Sequence, residues 1–219
     1  MSGQKLSPIE EGGIARVQVG CGPKNIKPDW WNVDIRPFPG IDAVMDVTKV
    51  WPWRGVLDYV YGEHFLEHLS LSDAIDFLTH SRAALKHGGA LRLTTPSVEW
   101  VLKTHFKFND AGVDAKMNET FAINRAFHGW GHQFLYSKDM LEQLIAACGL
   151  TLRGFYDYGD SDDESLKGLE QHGGWSVTEG YPSVWIIEAV KSEECSDEVT
   201  SNFRALAEEK FLRYVASGH

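Results

Sequence analysis

Arg16-Val17-Gln18-Val19-Gly20-Cys21-Gly22-Pro23 is a short apolar run that ends in two glycines. Val17 and Val19 read as one face of a buried strand, a role that suits β-branched side chains. Gly20 and Gly22 then let the backbone turn sharply and come close to a bound molecule. The residues after them sort the ligands. A dinucleotide site wants a third glycine and a helix N-terminus aimed at a pyrophosphate. Here that position is Asn25, after Pro23 and Lys24. The pyrophosphate cradle is incomplete, which disfavours a nicotinamide dehydrogenase and leaves a nucleoside ligand that brings no phosphate.

Outward from this strand (15–20), the pattern predicts strands over 31–35, 41–46, 56–61 and 90–95. Lys24 to Pro28 is too short for a long crossover helix. Ser70, with Asp73 three positions on, reads as a helix N-cap. Leu71, Ile75, Leu78 and Leu85 come next at helical spacing, and Gly88-Gly89 is expected to end that helix. Residues 97–136 read as an irregular, aromatic-rich insertion. A helix over 138–148, strands over 151–158 and 183–190, and an amphipathic helix over 197–216 complete the chain. Trp51-Pro52-Trp53 reads as a packed or partly exposed connecting loop, and Asp160 to Glu164 as a solvated one. The expectation is an α/β Rossmann-like sheet of mostly parallel strands with helices on both faces. The chain then divides into a tail at 1–14, one domain at 15–192 and a terminal helix at 193–219.

At 219 residues the chain is long enough to bury a full core. A formal net charge of −10 argues against passive binding to nucleic acid or anionic membrane. Neither an N-terminal apolar leader nor a span of membrane length is legible, so the expectation is a soluble, cytoplasmic protein, monomeric or homodimeric. Cys21, Cys148 and Cys195 stand in no paired spacing and predict neither a disulfide framework nor a cysteine zinc site.

In parallel sheets ligands sit beyond the carboxyl ends of the strands. Gly20, Asp34, Asp46 and His64 all fall at such ends. Asp34 can accept both hydroxyls of a ribose, and Asp46 an adenine amino group. An isolated acid at a strand end usually does no more than solvate it, so the weight lies in the ordered set. That set resembles the class I S-adenosylmethionine (SAM)-dependent methyltransferases of the type 11 group. Val-Gln-Val-Gly-Cys-Gly resembles their glycine motif, Asn32-Val33-Asp34-Ile35 their ribose-binding acid, and Met45-Asp46-Val47 their adenine motif. His64-Phe65-Leu66-Glu67-His68 resembles the segment after strand four. Leu85-Lys86-His87-Gly88-Gly89 resembles the helix end, with His87 where proline is usual. The resemblance covers about residues 15–150. It implies seven strands with the last reversed, and SAM held by Gly20, Cys21, Gly22, Asp34, Ile35, Asp46, Val47 and Glu63.

A hydroxyl acceptor needs a base, and histidine suits that near neutral pH. His64, Glu67 and His68 stand at i, i+3 and i+4, on one face of any helix there. Ubiquinone-pathway O-methyltransferases and small-RNA 2′-O-methyltransferases, which this segment resembles, carry acid-x-x-Glu-His here and bind a divalent metal with it. This chain has His64 in place of the first acid. The resemblance implies a metal (Mg, Mn or Zn) on His64, Glu67 and His68, with His128, or else His132, as the later ligand, whereas packing against the next helix would explain the Glu-His pair equally. His64, His128 and His132 are the candidate bases. Trp130 and Tyr136 are the candidate acceptor contacts, while His80, His87, His105 and His172 read as surface or structural. Leu166-Lys167-Gly168-Leu169-Glu170 resembles methyltransferases associated with polysaccharide and glycolipid synthesis. The resulting expectation is O-methylation of a small-molecule or oligosaccharide hydroxyl. The alternatives are another N- or O-methyltransferase, or a non-catalytic SAM-binding partner subunit.

Overall fold

The computed structural model describes residues 7–8, 13–110, 112–192, 201–205, 209 and 213. Its strands are β1 (Arg16–Val19), β2 (Trp31–Asp34), β3 (Ala43–Val44), β4 (Leu57–Glu63), β5 (Leu85–Pro96), β6 (Leu150–Phe155), β7 (Val177–Thr178), β8 (Tyr181–Pro182) and β9 (Val184–Lys191). Four α-helices lie among them: α1 (Leu71–Ala84), α2 (Val98–His105), α3 (Val113–His128) and α4 (Lys138–Ala147). Seven strands form one sheet in the order β3-β2-β1-β4-β5-β9-β6, and β7 and β8 form a separate pair. β9 runs antiparallel to both neighbours, while β1 to β5 pair in parallel, so the reversed last strand is present as predicted.

Alternation along the strands separates two faces. Val17, Val19, Val60, Leu91, Leu93, Ile187 and Ala189 enter the main core, which α1 and α4 cover with Ile75, Phe77, Leu78, Leu141 and Leu144. Gln18, Tyr61, Arg92 and Glu188, also buried, alternate with these residues. Trp30, Tyr61, Ala90 and Leu166 make a second cluster, to which no helix of the described residues contributes. A loop supplies Leu166 and Leu169 to this cluster. Asp160 to Glu164 accordingly is not simply solvated: Ser161 is buried, and Tyr59 donates to Asp163 at 3.1–3.2 Å. Trp51 packs into the core, as a packed connection would, its Nε1 donating to the Val47 carbonyl at 2.8 Å.

Ser70 caps α1 as predicted, its hydroxyl accepting from Asp73 N at 3.1 Å. The helix stops at Ala84, however, before the glycine pair. Leu85 is already extended and pairs with Leu57, and the β4–β5 register then jumps from Leu57↔Leu85 to Tyr59↔Ala90. Residues 86–89 are the bulge. A Cβ on Gly89 would stand 2.9 Å from the Leu57 carbonyl oxygen, so the glycine answers a close backbone approach rather than capping a helix.

The insertion at 97–136 is largely helical, contrary to expectation. α2 and α3 close a small core of their own around Val101, Ala126 and Leu135. Of the predicted terminal helix, Ser201 to Ala205 are helical, Phe203 packs on the main core and Arg204 pairs with Asp76 at 2.6 Å; the remainder lies outside the described residues, as does most of the predicted tail.

Candidate active site

Two cavities of about 610 and 550 Å³ open at the carboxyl ends of β1, β2 and β4. Gly20, Gly22, His64, His68 and Trp130 border both, which makes them one cleft. Gly20 and Gly22 have φ of +58° and +57°, the left-handed region that glycine enters freely. Their reasons differ. A Cβ on Gly20 would lie 2.3 Å from Phe65 Cδ2, and that ring is held edge-on against Phe77. A Cβ on Gly22 would meet no protein atom within 4 Å and would occupy the cleft instead. Gly20→Ala is therefore expected to destabilise the fold by about 1–3 kcal/mol, through overpacking and φ strain. Gly22→Ala shares the φ strain, about 1–2 kcal/mol, but not the overpacking, and should in addition weaken binding of the ligand that occupies the cleft. Urea unfolding beside calorimetric titration with SAM separates the two effects.

Asp34 ends β2 and is buried at the cleft wall. Its Oδ2 accepts from Gly22 N and its Oδ1 from Arg36 N, each at 3.0 Å, so one carboxylate fixes both neighbouring turns. Each oxygen keeps capacity for a further donor. Asp46 accepts from the Thr48 hydroxyl at 2.7 Å and the Thr48 amide at 3.0 Å, both at Oδ1; the hydroxyl bond is the main reason its pKa lies below the usual carboxylate value. Ile35, Val47, Phe65 and Leu69 line the same half of the cleft. Cys21 also borders the cleft, but burial and then the Asp34 charge push its thiol up to about 11, so it is no nucleophile.

Glu63, at the end of β4, is engaged by the protein itself. Oε2 accepts from Asn25 Nδ2 at 2.7 Å, and Oε1 accepts from the amides of Gln171 and His172 at 2.8 and 2.9 Å. Asn25 Oδ1, by contrast, is buried with no hydrogen-bond partner and borders the cleft. An unpaired buried acceptor is costly. It suits a ligand that carries an N–H donor.

His64 comes directly after β4 with φ +46°, unusual for a residue with a Cβ. Trp130 has φ +57°, so two of the three described non-glycine residues in this region border the cleft. His64 Nδ1 lies 3.1 Å from Glu67 Oε1, which fixes the tautomer with the proton on Nδ1 and the lone pair on Nε2. Burial works to lower the His64 pKa, but the hydrogen bond and charge of Glu67 outweigh it, and the value stands above its ordinary one. Glu67 is fully buried and its second oxygen, Oε2, has no partner.

Of the remaining candidates, His132 is in the cleft and His128 is not. α3 ends at His128, which is exposed and lines neither cavity. The turn Gly129–Gly131 brings His132 back to within 5.1 Å of the His68 ring. His132 Nδ1 donates to the Ala126 carbonyl at 2.8 Å, which leaves Nε2 free. Donor atoms of Glu67, His68 and His132 lie within 4.8 Å of one another, so the trio that can hold a cation omits His64 and His128 from the predicted set. Trp130 is at the rim, 65% exposed, with the Arg125 guanidinium 4.4 Å from its ring centre. Tyr136 is a correction. It is wholly buried in the main core, pairs with Ser97 in an isolated bridge and borders no part of the cleft. His172, expected to be surface or structural, stands with its ring 4.8 Å from that of His64 and borders the cleft.

The sheet order with reversed β9, and a cleft at the β1–β2–β4 ends, define the class I methyltransferase fold. Solved structures agree. A SAM-dependent methyltransferase from Clostridium acetobutylicum superposes with a TM-score of 0.54 at 10% identity, over 81% of this chain and 83% of that one. The methyltransferase in a complex with the Haloferax volcanii Trm112 methyltransferase activator gives 0.52 at 14% identity, over 87% of each chain. The sequence matches no family model and no curated protein. No helix among the described residues is long and apolar enough to cross a membrane.

Proposed function

We propose that the chain is a SAM-dependent methyltransferase that methylates a hydroxyl oxygen, with a carbohydrate as acceptor. One observation carries this reading: Gly20, Gly22, Asp34 and Asp46 surround a single cleft whose floor also presents the His64–Glu67 pair. Asp34 would take the ribose hydroxyls, Asp46 the adenine amino group, and Ile35 and Val47 the faces of the base. Asn25 Oδ1 fits the ammonium end of the cofactor, and the open space at Gly22 fits its backbone. SAM, when bound, supplies a methyl group activated for in-line displacement. The chain's own contribution is alignment and proton transfer. His64 Nε2 takes the proton of the acceptor hydroxyl, and Glu67 holds the imidazole in the required tautomer and stabilises its charged form. Trp130 offers the apolar side of its ring at the rim, a surface that suits the C–H face of a sugar.

A metal-assisted form of the same reaction is favoured by Glu67 Oε2, buried and unpaired beside His68 and His132. Two imidazoles and one carboxylate suit zinc or manganese better than magnesium. Transfer of labelled methyl from SAM to a panel of glycosides and phenols, in chelator and after resupply of each ion, tests both forms. Turnover in chelator supports the histidine base alone, and turnover only with added ion assigns the trio. Binding of SAM with no transfer to any acceptor would favour a non-catalytic SAM-binding subunit.

A further inference from the structure

Beyond the main cleft, a cavity of about 220 Å³ opens at the ends of β5 and β9. His64 borders it as well as both halves of the cleft, so the proposed base faces all three spaces. Its walls are of a different kind. Trp100, Tyr158 and Trp175 line it together with Pro96 and Ile186, and His172 stands at the junction with the cleft. Trp100 Nε1 donates to Thr178 at 3.2 Å, and the Tyr158 hydroxyl to the Glu170 carbonyl at 3.0 Å. Trp175 Nε1 alone among these polar groups is buried with no partner. A buried indole N–H ordinarily finds an acceptor.

We propose that this cavity is the acceptor subsite and that it receives a neutral ring with an apolar face and oxygens on its rim. One rim oxygen accepts from Trp175 Nε1, and a neighbouring hydroxyl is thereby presented to His64 Nε2. The proposal rests on the methyltransferase reading only for what happens to that hydroxyl. Neutrality is a consequence of the walls. Glu63 and Glu170 both border the cavity, and the cation nearest Glu170, Arg92, is already paired with it at 2.7 Å and with Glu188 at 2.5 Å. An anionic ring would meet both carboxylates, and a cationic one would find each already engaged, Glu63 by Asn25 and the Gln171 and His172 amides and Glu170 by Arg92. Aromatic walls supply the apolar contact that either a sugar or a phenol can use.

The segment that carries His172 and Trp175 is held by contacts within the protein itself. Glu63 accepts from the amides of Gln171 and His172, Lys27 Nζ donates to the Leu169 carbonyl at 2.6 Å, and Arg92 holds Glu170. The wall is thus built by contacts that no ligand has to make. That is the preorganisation expected of a binding site.

The test uses the full chain, with saturation-transfer NMR and calorimetry on methyl pyranosides, phenol and, as an acyclic control, sorbitol. At least one ring probe should bind, and sorbitol should not. Trp175→Phe keeps a ring and removes the N–H, and should weaken that probe about 5–10-fold. Trp175→Ala should weaken it more than tenfold, with SAM affinity within about twofold of the parent in both variants. A pyranoside response identifies a sugar acceptor, and a phenol response an aromatic one. Rings that bind no better than sorbitol, or a probe indifferent to Trp175→Phe, would overturn the subsite. A chain that binds rings but not SAM would instead refute the methyltransferase reading and leave the subsite standing.

Discussion

His64→Asn is expected to lower methyl transfer about 10²–10⁴-fold, the range that a positioned general base contributes, while SAM affinity stays within about twofold. Asparagine is the informative replacement because it tolerates the φ of +46° at this position better than other side chains. The backbone turn that leads from β4 toward Glu67 is then kept, and only the proton acceptor is lost. Glu67→Gln should give a smaller loss of about tenfold, since the imidazole remains but its orientation and charge stabilisation do not. Single-turnover rates beside SAM titrations measure both. Equal loss of SAM affinity in His64→Asn would place His64 in cofactor binding rather than in proton transfer.

The largest effect on stability is expected at Arg92. Its side chain is fully buried between Glu188, directly opposite on β9, and Glu170 from the covering loop. Burial opposes its charge, but the two carboxylates more than compensate, and its pKa stands above the ordinary value. Arg92→Met would leave Glu170 buried without its counter-ion and Glu188 with only Arg153, 3.9 Å away, at a cost of about 3–5 kcal/mol. Replacing all three groups by apolar residues should recover most of that loss, because the penalty comes from the orphaned charges and not from the missing pair. Urea midpoints of the single and triple variants decide this. Since Glu170 adjoins Gln171 and His172, the single variant should also loosen the wall of the ring subsite before the main sheet unfolds. A triple variant no more stable than Arg92→Met would show that the site needs the ions themselves.

The rim of the cleft at β1 to β3 is legible in the sequence because its residues sit at or just after strand ends. Strand, turn and acid succeed one another along the chain, so Gly20, Asp34 and Asp46 can be placed by periodicity alone. The rest of the cleft is not, for three physical reasons. His172 reaches the cleft, and Trp175 the adjoining cavity, through long-range contacts, with Arg92 and Glu170 separated by 78 positions, and no local pattern signals such a pairing. The choice between His128 and His132 depends on where α3 ends. That helix is hidden because it exposes Val113, Met117 and Phe121 and buries only Ala126, which inverts the usual apolar stripe. Tyr136 is misplaced by sequence because its bridge to Ser97 turns the ring into the core. On the other side of the sheet, buried Arg92 and Glu188 occupy positions that an apolar pattern would assign to a helix-covered face. A loop carrying Glu170 covers them instead.

Calorimetric titration of the full chain with SAM asks whether this cleft binds a sulfonium nucleoside, on which the cofactor and proton-transfer roles assigned above depend. One site per chain is expected, with affinity in the micromolar to sub-millimolar range common to enzyme substrates, weakened at least about tenfold by Asp34→Ala. No binding heat and no thermal stabilisation with SAM or its demethylated product, in the presence or absence of divalent ions, would refute the assignment.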